Sequence, residues 1–307
     1  MRRIVGVIIF AAGLLLLVGH FLRIAPEGLR GIAILSILIG LVVFGLSFIR
    51  QPAASPEAPP PLSAAERVTG VFFEPERVFQ NLRHHPRWLT GFLVMVLCGM
   101  IYQVAFTQRL TPERIAGDFA DKVIEGGWIP PEKTAAFKEQ RIEEAQSTAA
   151  KIATPLSYIG GTFLVILVLA GLFLLCVLAF GGRMNFWQAL SVAVYSWLPP
   201  VVITSILNLI LLYTKAPDEI DSFKGQQGLV RADLGLLVSA ADHPVLYTVA
   251  SLIGVFTLYR WWLTATGFRH TAEKLSAGSA WAIVFILWLL GVICLSILAA
   301  LFPTFTG

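Results

Sequence analysis

The sequence predicts an all-α polytopic membrane bundle of about seven spans, and three observations carry that prediction. Only 14% of the 307 residues are charged, against about 25% in an ordinary soluble domain. Hydrophobic residues make up 56%, and mean hydropathy is +0.76. The apolar residues also fall into long blocks. A helix rising about 1.5 Å per residue needs about 20 apolar residues to cross a hydrocarbon core about 30 Å thick. Charge-free windows of that order run 4–22, 31–49, 88–108, 152–182, 184–214 and 275–307, and a seventh, 243–268, is interrupted only by Arg260.

The first window follows Arg2 and Arg3, as the start of a signal peptide would, but it ends in His20, Phe21 and Leu22 without a small-x-small cleavage pattern. A retained anchor is expected. Residues 1–50 then read as a transmembrane hairpin, two spans joined through Arg23, Pro26, Glu27 and Arg30. Ser36 and Gly40 stand in small-xxx-small spacing, and Gly6 and Gly13 are a heptad apart. Such residues let helix backbones approach closely; glycine is also simply frequent in membrane helices.

Residues 51–66 carry Pro52, Pro56, Pro59, Pro60 and Pro61 among alanines and serines. Proline removes a backbone donor and fixes φ, so this stretch is expected to be an extended, solvated linker that tethers the hairpin loosely. Residues 67–307 form the remaining unit, with five spans. In its lead-in segment, Pro75 suits the first turn of a helix, with Glu74 and Glu76 near the positive end. Val71, Phe72, Val78, Phe79 and Leu82 share an apolar side, with Phe73 next to Phe72. Phe72, Phe73 and Phe79 are therefore candidate contact residues, either for the membrane interface or for the other spans.

The loop 109–151 holds seven Lys or Arg and eight Asp or Glu. Ile115, Phe119 and Val123 precede a break at Gly126-Gly127, and a second helix is expected from near Pro131. Two amphipathic helices resting on the embedded part follow from this pattern.

Two features within the spans invite a functional reading. Arg260 is the one formal charge inside a window, and such a residue costs about 2.5–3.5 kcal/mol at a helix centre on insertion scales. Either its stem snorkels toward an interface marked by Trp261 and Trp262, or it has a buried partner or an anionic ligand. Pro199 and Pro200 stand in mid-window, where they should kink or break the helix. Asn208, with Tyr195 and Ser196, would supply polar groups nearby, as in the broken helices of transporters. A structural kink is the plainer reading, since no second break or internal repeat accompanies it.

Other chemistry is thin. The net charge of +4 is spread over separate loops rather than gathered in a stripe, so no nucleic-acid partner is expected. Cys98, Cys176 and Cys294 fall in different spans and read as buried apolar thiols. His84 and His85 are adjacent and would not converge on one metal. No H-E-x-x-H, G-x-S-x-G or phosphate loop occurs, so no catalytic residue, cofactor or metal is expected. Arg83 and Arg87 abut a span, while much of the opposite basic charge lies far from span ends in the 109–151 loop. This favours an N-terminus inside and a C-terminus outside.

Three segments, FFEPERVFQNLRHHPRW (72–88), GGRMNFWQALSVAVYSWLP (181–199) and FTLYRWWLTATGF (256–268), resemble the prokaryotic branch of the Yip-domain family, named for proteins that interact with Ypt/Rab GTPases. The resemblance covers about residues 67–307. It implies a five-span helical domain with a cytosolic lead-in, here in a bacterial cytoplasmic membrane. The Asp-Leu-Tyr-Gly-Pro signature of eukaryotic relatives is missing, so Rab-type GTPase binding does not carry over. Gly254 stands where many relatives have an acidic residue, which leaves no carboxylate to pair with Arg260 from that position. The function expected is a non-enzymatic membrane protein that organises or contacts other membrane components, its partners being the lipid bilayer and other membrane proteins or itself. The alternative is a small-solute or ion transporter built on the Pro199-Pro200 break.

Overall fold

A computed structural model describes residues 2–22, 24, 29–49, 58–240 and 242–305. The hairpin loop residues Arg23, Pro26 and Glu27, as well as Arg50 and the linker prolines Pro52 and Pro56, lie outside the described residues. All regular elements within them are helical.

Helices α1 (Arg2–Phe21) and α2 (Arg30–Leu46) pair antiparallel along their small residues. A Cβ on Gly13 would meet the backbone nitrogen of Ile37 at 2.8 Å and Ser36 Cβ at 2.9 Å, and Gly40 lies directly against the backbone of Phe10. The expected close approach is therefore present, at positions where a side chain has no room. The hairpin is not loosely held. The far side of α2 lies on α8 (Thr148–Ala179), with Leu35 and Ile39 against Gly160, and the Trp187 indole donates to the Ile49 carbonyl at 3.3 Å. The apolar second face of α2 supplies that dock, which linker composition does not report.

Helix formation resumes earlier than the linker boundary at residue 66 suggests. Helix α3 (Ala64–Phe73) starts with a capping box: Ser63 Oγ accepts from the Glu66 N–H, and Glu66 accepts from the Ser63 N–H at 2.7 Å. Each bond satisfies a donor left open at the helix start. The preceding prolines are exposed but pinned, since Asn81 of α4 (Pro75–His84) donates to the Pro60 carbonyl and accepts from the Leu62 N–H. Pro75 begins α4, as expected.

The remaining order is α5 (Leu89–Leu110), α6 (Pro112–Glu125), α7 (Thr134–Gln146), α8, α9 (Phe186–Thr214), short α10 (Ser222–Gln227), α11 (Pro244–Ser251), α12 (Val255–Thr271) and α13 (Ala277–Leu301). Five helices are long and apolar enough to cross a membrane, and the 17-residue α2 adds a shorter apolar one. The sixth window is divided between α11 and α12. About seven crossings result, as expected.

Helix α9 is the hub. It packs on α5, α8 and α12, and 61% of its apolar window is buried, against 39% or less for the other long apolar helices. Those outer helices point Leu93, Val168 and Phe285 away from the protein, a surface suited to lipid.

The two ends of the bundle differ. At one, the α4 face, Val71, Val78, Phe79 and Leu82 are all buried in the main core. The lead-in segment is thus packed against the spans, which settles between the two readings of its apolar side. At the other, α6 and α7 lie against each other, with Lys138 paired to Asp121 at 2.7 Å. Arg114 ties α6 to the loop after α9, donating to the carbonyls of Pro217 and Ile220. The chain end reaches this α6–α7 face too, where Phe302 stacks on Trp128 at 5.3 Å.

Candidate functional site

Pro199 and Pro200 do not break α9, which runs as one helix from Phe186 to Thr214. Without their N–H groups the carbonyls of Tyr195 and Ser196 lose their usual helix partners. The neighbourhood is nonetheless closed, because Leu198, Pro199 and Pro200 are all buried and the Thr204 hydroxyl donates to the Pro200 carbonyl at 2.8 Å. Packing around Leu198, Pro199 and Pro200 holds the helix through the prolines.

The interrupted span is the sixth. Between α11 and α12 the chain is non-helical at residues 252–254, and Gly254 forms an isolated bridge with Asp233. The Leu234 N–H donates to the Ile253 carbonyl and the Val255 N–H to the Ala232 carbonyl, both at 3.0 Å. The Trp288 indole donates to the Leu252 carbonyl at 3.2 Å. Non-helical backbone inside a membrane-embedded bundle requires partners of this kind. Gly254 is needed for the approach: a Cβ there would meet the Ala232 oxygen at 2.6 Å.

Asn208 serves the same loop. Its Oδ1 accepts from the N–H groups of Leu229 and Val230 at 2.7 and 2.8 Å. It is a buried clamp near the α6–α7 face, not a polar group beside the two prolines.

Arg260 is the sixth residue of α12 and lies eleven residues from its last, Thr271, about 16 Å along the axis. Trp197 is eleven residues into α9 from the same face, so the two stand at matching distances from it. The guanidinium sits over the Trp197 ring, 4.5 Å from its centroid. It has no hydrogen bond or ion pair among the described residues. Its protein contact is an aromatic face in place of a carboxylate. The neighbouring tryptophans diverge. Trp261 meets Trp288 edge-on at 5.2 Å, while Trp262 stacks on Tyr259 and reaches the surface toward the α4 face.

Sequence reasoning missed Arg67. It is 3% exposed, and its Nε donates to the Tyr195 hydroxyl at 3.3 Å while Nη1 donates to the Leu62 carbonyl. Tyr195 in turn donates to the Arg87 carbonyl at 3.3 Å. One buried side chain thereby joins α3, α9 and the start of α5. Its main partner lies 128 residues away, so no local pattern could have disclosed it.

Around this node the α4 face is bound by polar links. Arg83 pairs with Glu273 at 3.0 Å, Gln188 donates to the Arg83 carbonyl, and Arg183 and Glu273 exchange backbone hydrogen bonds. Phe79 is buried against Gly267 of α12. Phe72 packs beside the core, but Phe73 is 85% exposed at the α3–α4 corner. His270, beyond the last apolar residue of its window, accepts at Nδ1 from Gln80. Burial holds its imidazole below the usual value, with Glu76 opposing and Arg269 adding to the effect.

Cys98, Cys176 and Cys294 are free thiols but not the buried ones expected, since the first two are half-buried and Cys294 is exposed on the outer surface of α13, and no three His, Cys, Asp or Glu among the described residues are grouped to hold a metal. Residues 69–298 match the family model of the Yip1 domain. No curated protein and no solved structure matches the chain.

Proposed function

The chain belongs to the Yip1-domain family, and on that premise we propose that it is a non-enzymatic multi-pass membrane protein that organises or contacts other membrane components through its α4 face. The observation that carries this reading is the cap. Helices α3 and α4 insert Val71, Phe79 and Leu82 into the core at that end. A solute path along α9 would have to displace them. Outside the same cap, Phe73 offers an exposed aromatic ring, a residue type favoured at contact surfaces.

The α4 face is taken as cytosolic. Arg83, Arg87, Arg183, Arg269 and Lys274 all lie near span ends there, where basic residues weigh most in setting orientation. The membrane is taken as a bacterial cytoplasmic one, on the resemblance of residues 72–88, 181–199 and 256–268 to the prokaryotic branch. Rab-type GTPase binding is not part of the proposal.

The transport reading loses its stated basis, because α9 continues through Pro199-Pro200. Photo-crosslinking from Phe73→Cys in native-lipid particles tests the proposal. Adducts to a membrane protein or to a second copy are expected. A lone monomer without adducts, or solute flux in liposomes abolished by Arg260→Ala, would overturn it.

A further inference from the structure

The interruption of the sixth span leaves one face of α9 uncovered. Near the α4 face the seam between α9 and α12 is closed, with Val192 against Gly267 and Leu263, Thr264 and Phe268 buried beside them. Arg260 precedes Gly267 by seven residues, about two turns, and so lies on the same side of α12. A little beyond it α12 gives out at Val255, and α11 packs on α13. Helix α9 runs on alone to Thr214. Ile210 follows Val192 by eighteen residues, about five turns, which puts it on the face that α12 covers nearer the α4 face. Ile206, Leu207 and Ile210 are all exposed there. An apolar groove thus follows α9, with Arg260 at its closed end.

Arg260 and Trp197 each keep part of their surface open. The ring accepts the charge through its face, but it offers no lone pair to the N–H donors in the guanidinium plane. No hydrogen bond or ion pair among the described residues meets those donors. A carboxylate would neutralise the charge and accept two of the bonds side by side.

A second copy of the chain cannot bring one, because none of the apolar windows contains Asp or Glu. A phospholipid in the groove would lay uncharged acyl chains along α9 and keep its phosphate at the bilayer surface, and the closed seam bars the way from the α4 face. A membrane helix can carry a carboxylate at any depth. We therefore infer that the groove docks a membrane helix of a different protein, whose Asp or Glu pairs with Arg260. The groove is separate from the α4 face, so a negative result here would leave the proposed function standing.

The test is energy transfer between the labelled full-length protein and a Leu-rich transmembrane peptide in phosphatidylcholine liposomes. One Glu is moved through successive positions of the peptide, and each is compared with Gln at the same position. At the best position the Glu peptide is expected to bind about tenfold more tightly than its Gln counterpart, the effect of one charge-assisted pair. Arg260→Met should abolish that preference. Ile210→Trp, which fills the exposed groove, should weaken both peptides while keeping the wild-type melting temperature. Equal binding of Glu and Gln peptides at every position, a preference that survives Arg260→Met, or indifference to Ile210→Trp would overturn the inference. Loss of the preference on adding phosphatidylglycerol would overturn it in favour of a lipid headgroup, and wild-type self-association lost in Arg260→Met would overturn it in favour of a second copy.

Discussion

The Arg260 guanidinium rests 4.5 Å from the centroid of the Trp197 ring, so the one charge within the spans is held by a π-face from the central helix. A desolvated contact of this kind contributes about 2 kcal/mol, and the insertion cost of arginine is of comparable size, about 2.5–3.5 kcal/mol. The pair is therefore close to balanced, and its two halves are not equivalent.

Replacing the charge by Arg260→Met should leave thermal stability in detergent unchanged or raised. Trp197→Leu should lower it by about 2 kcal/mol, because the cation then lacks its ring. In the double variant most of that loss should disappear. A double-mutant cycle reads the coupling directly, and an equal Trp197→Leu cost in both backgrounds would show that the two residues do not interact.

Asn208 holds two loop N–H groups through one oxygen. Asn208→Leu keeps the volume and removes the acceptor, leaving buried donors unmet at a cost of about 1–3 kcal/mol. Hydrogen exchange should quicken at residues 228–230 and across the Asp233–Gly254 bridge, while α5 and α8 stay protected. Unchanged exchange in the loop would show that the clamp is dispensable.

The His270 imidazole titrates below its ordinary value because it is buried against α4. A histidine with a lowered folded pKa contributes stability above the ordinary value of about 6.5, and this is lost as pH falls through the folded value. The melting temperature should therefore decline from pH 7.5 toward pH 5, and His270→Gln should flatten that decline. Glu76 and Arg269 face the ring from α4 and α12 and would shape the midpoint. A profile identical in the variant would assign the decline to other groups.

How much of this could be read from the chain depends on the range of each interaction. The spans were legible because lipid imposes a length on apolar runs, and the α4 start was legible because Pro75 acts within one turn. Gly13, Ser36 and Gly40 marked the hairpin contact because small residues act where they stand. The depth of the lead-in segment was not legible: Val71 and Phe79 show the same amphipathic pattern whether lipid or protein covers them. Pro199-Pro200 left a kink and a break both open, since proline weakens a helix locally while the packing that keeps α9 continuous comes from other helices. The true interruption beside Gly254 carried only a faint signal, a glycine at a close backbone approach. Asn208 and Arg67 bond to groups 21 and 128 residues away, beyond any local pattern.

The proposal with most resting on it is that the α4 face and the α6–α7 face lie on opposite sides of a bilayer, the α4 face inside. Single cysteines replacing Arg77 and Glu139, in a background without Cys98, Cys176 and Cys294, can be labelled with a membrane-impermeant maleimide. In intact cells Glu139→Cys should react, and Arg77→Cys should react only after lysis. Labelling of both positions in intact cells, or of neither before lysis, would place the two faces on one side, and labelling of Arg77→Cys alone would invert them; each would contradict the account.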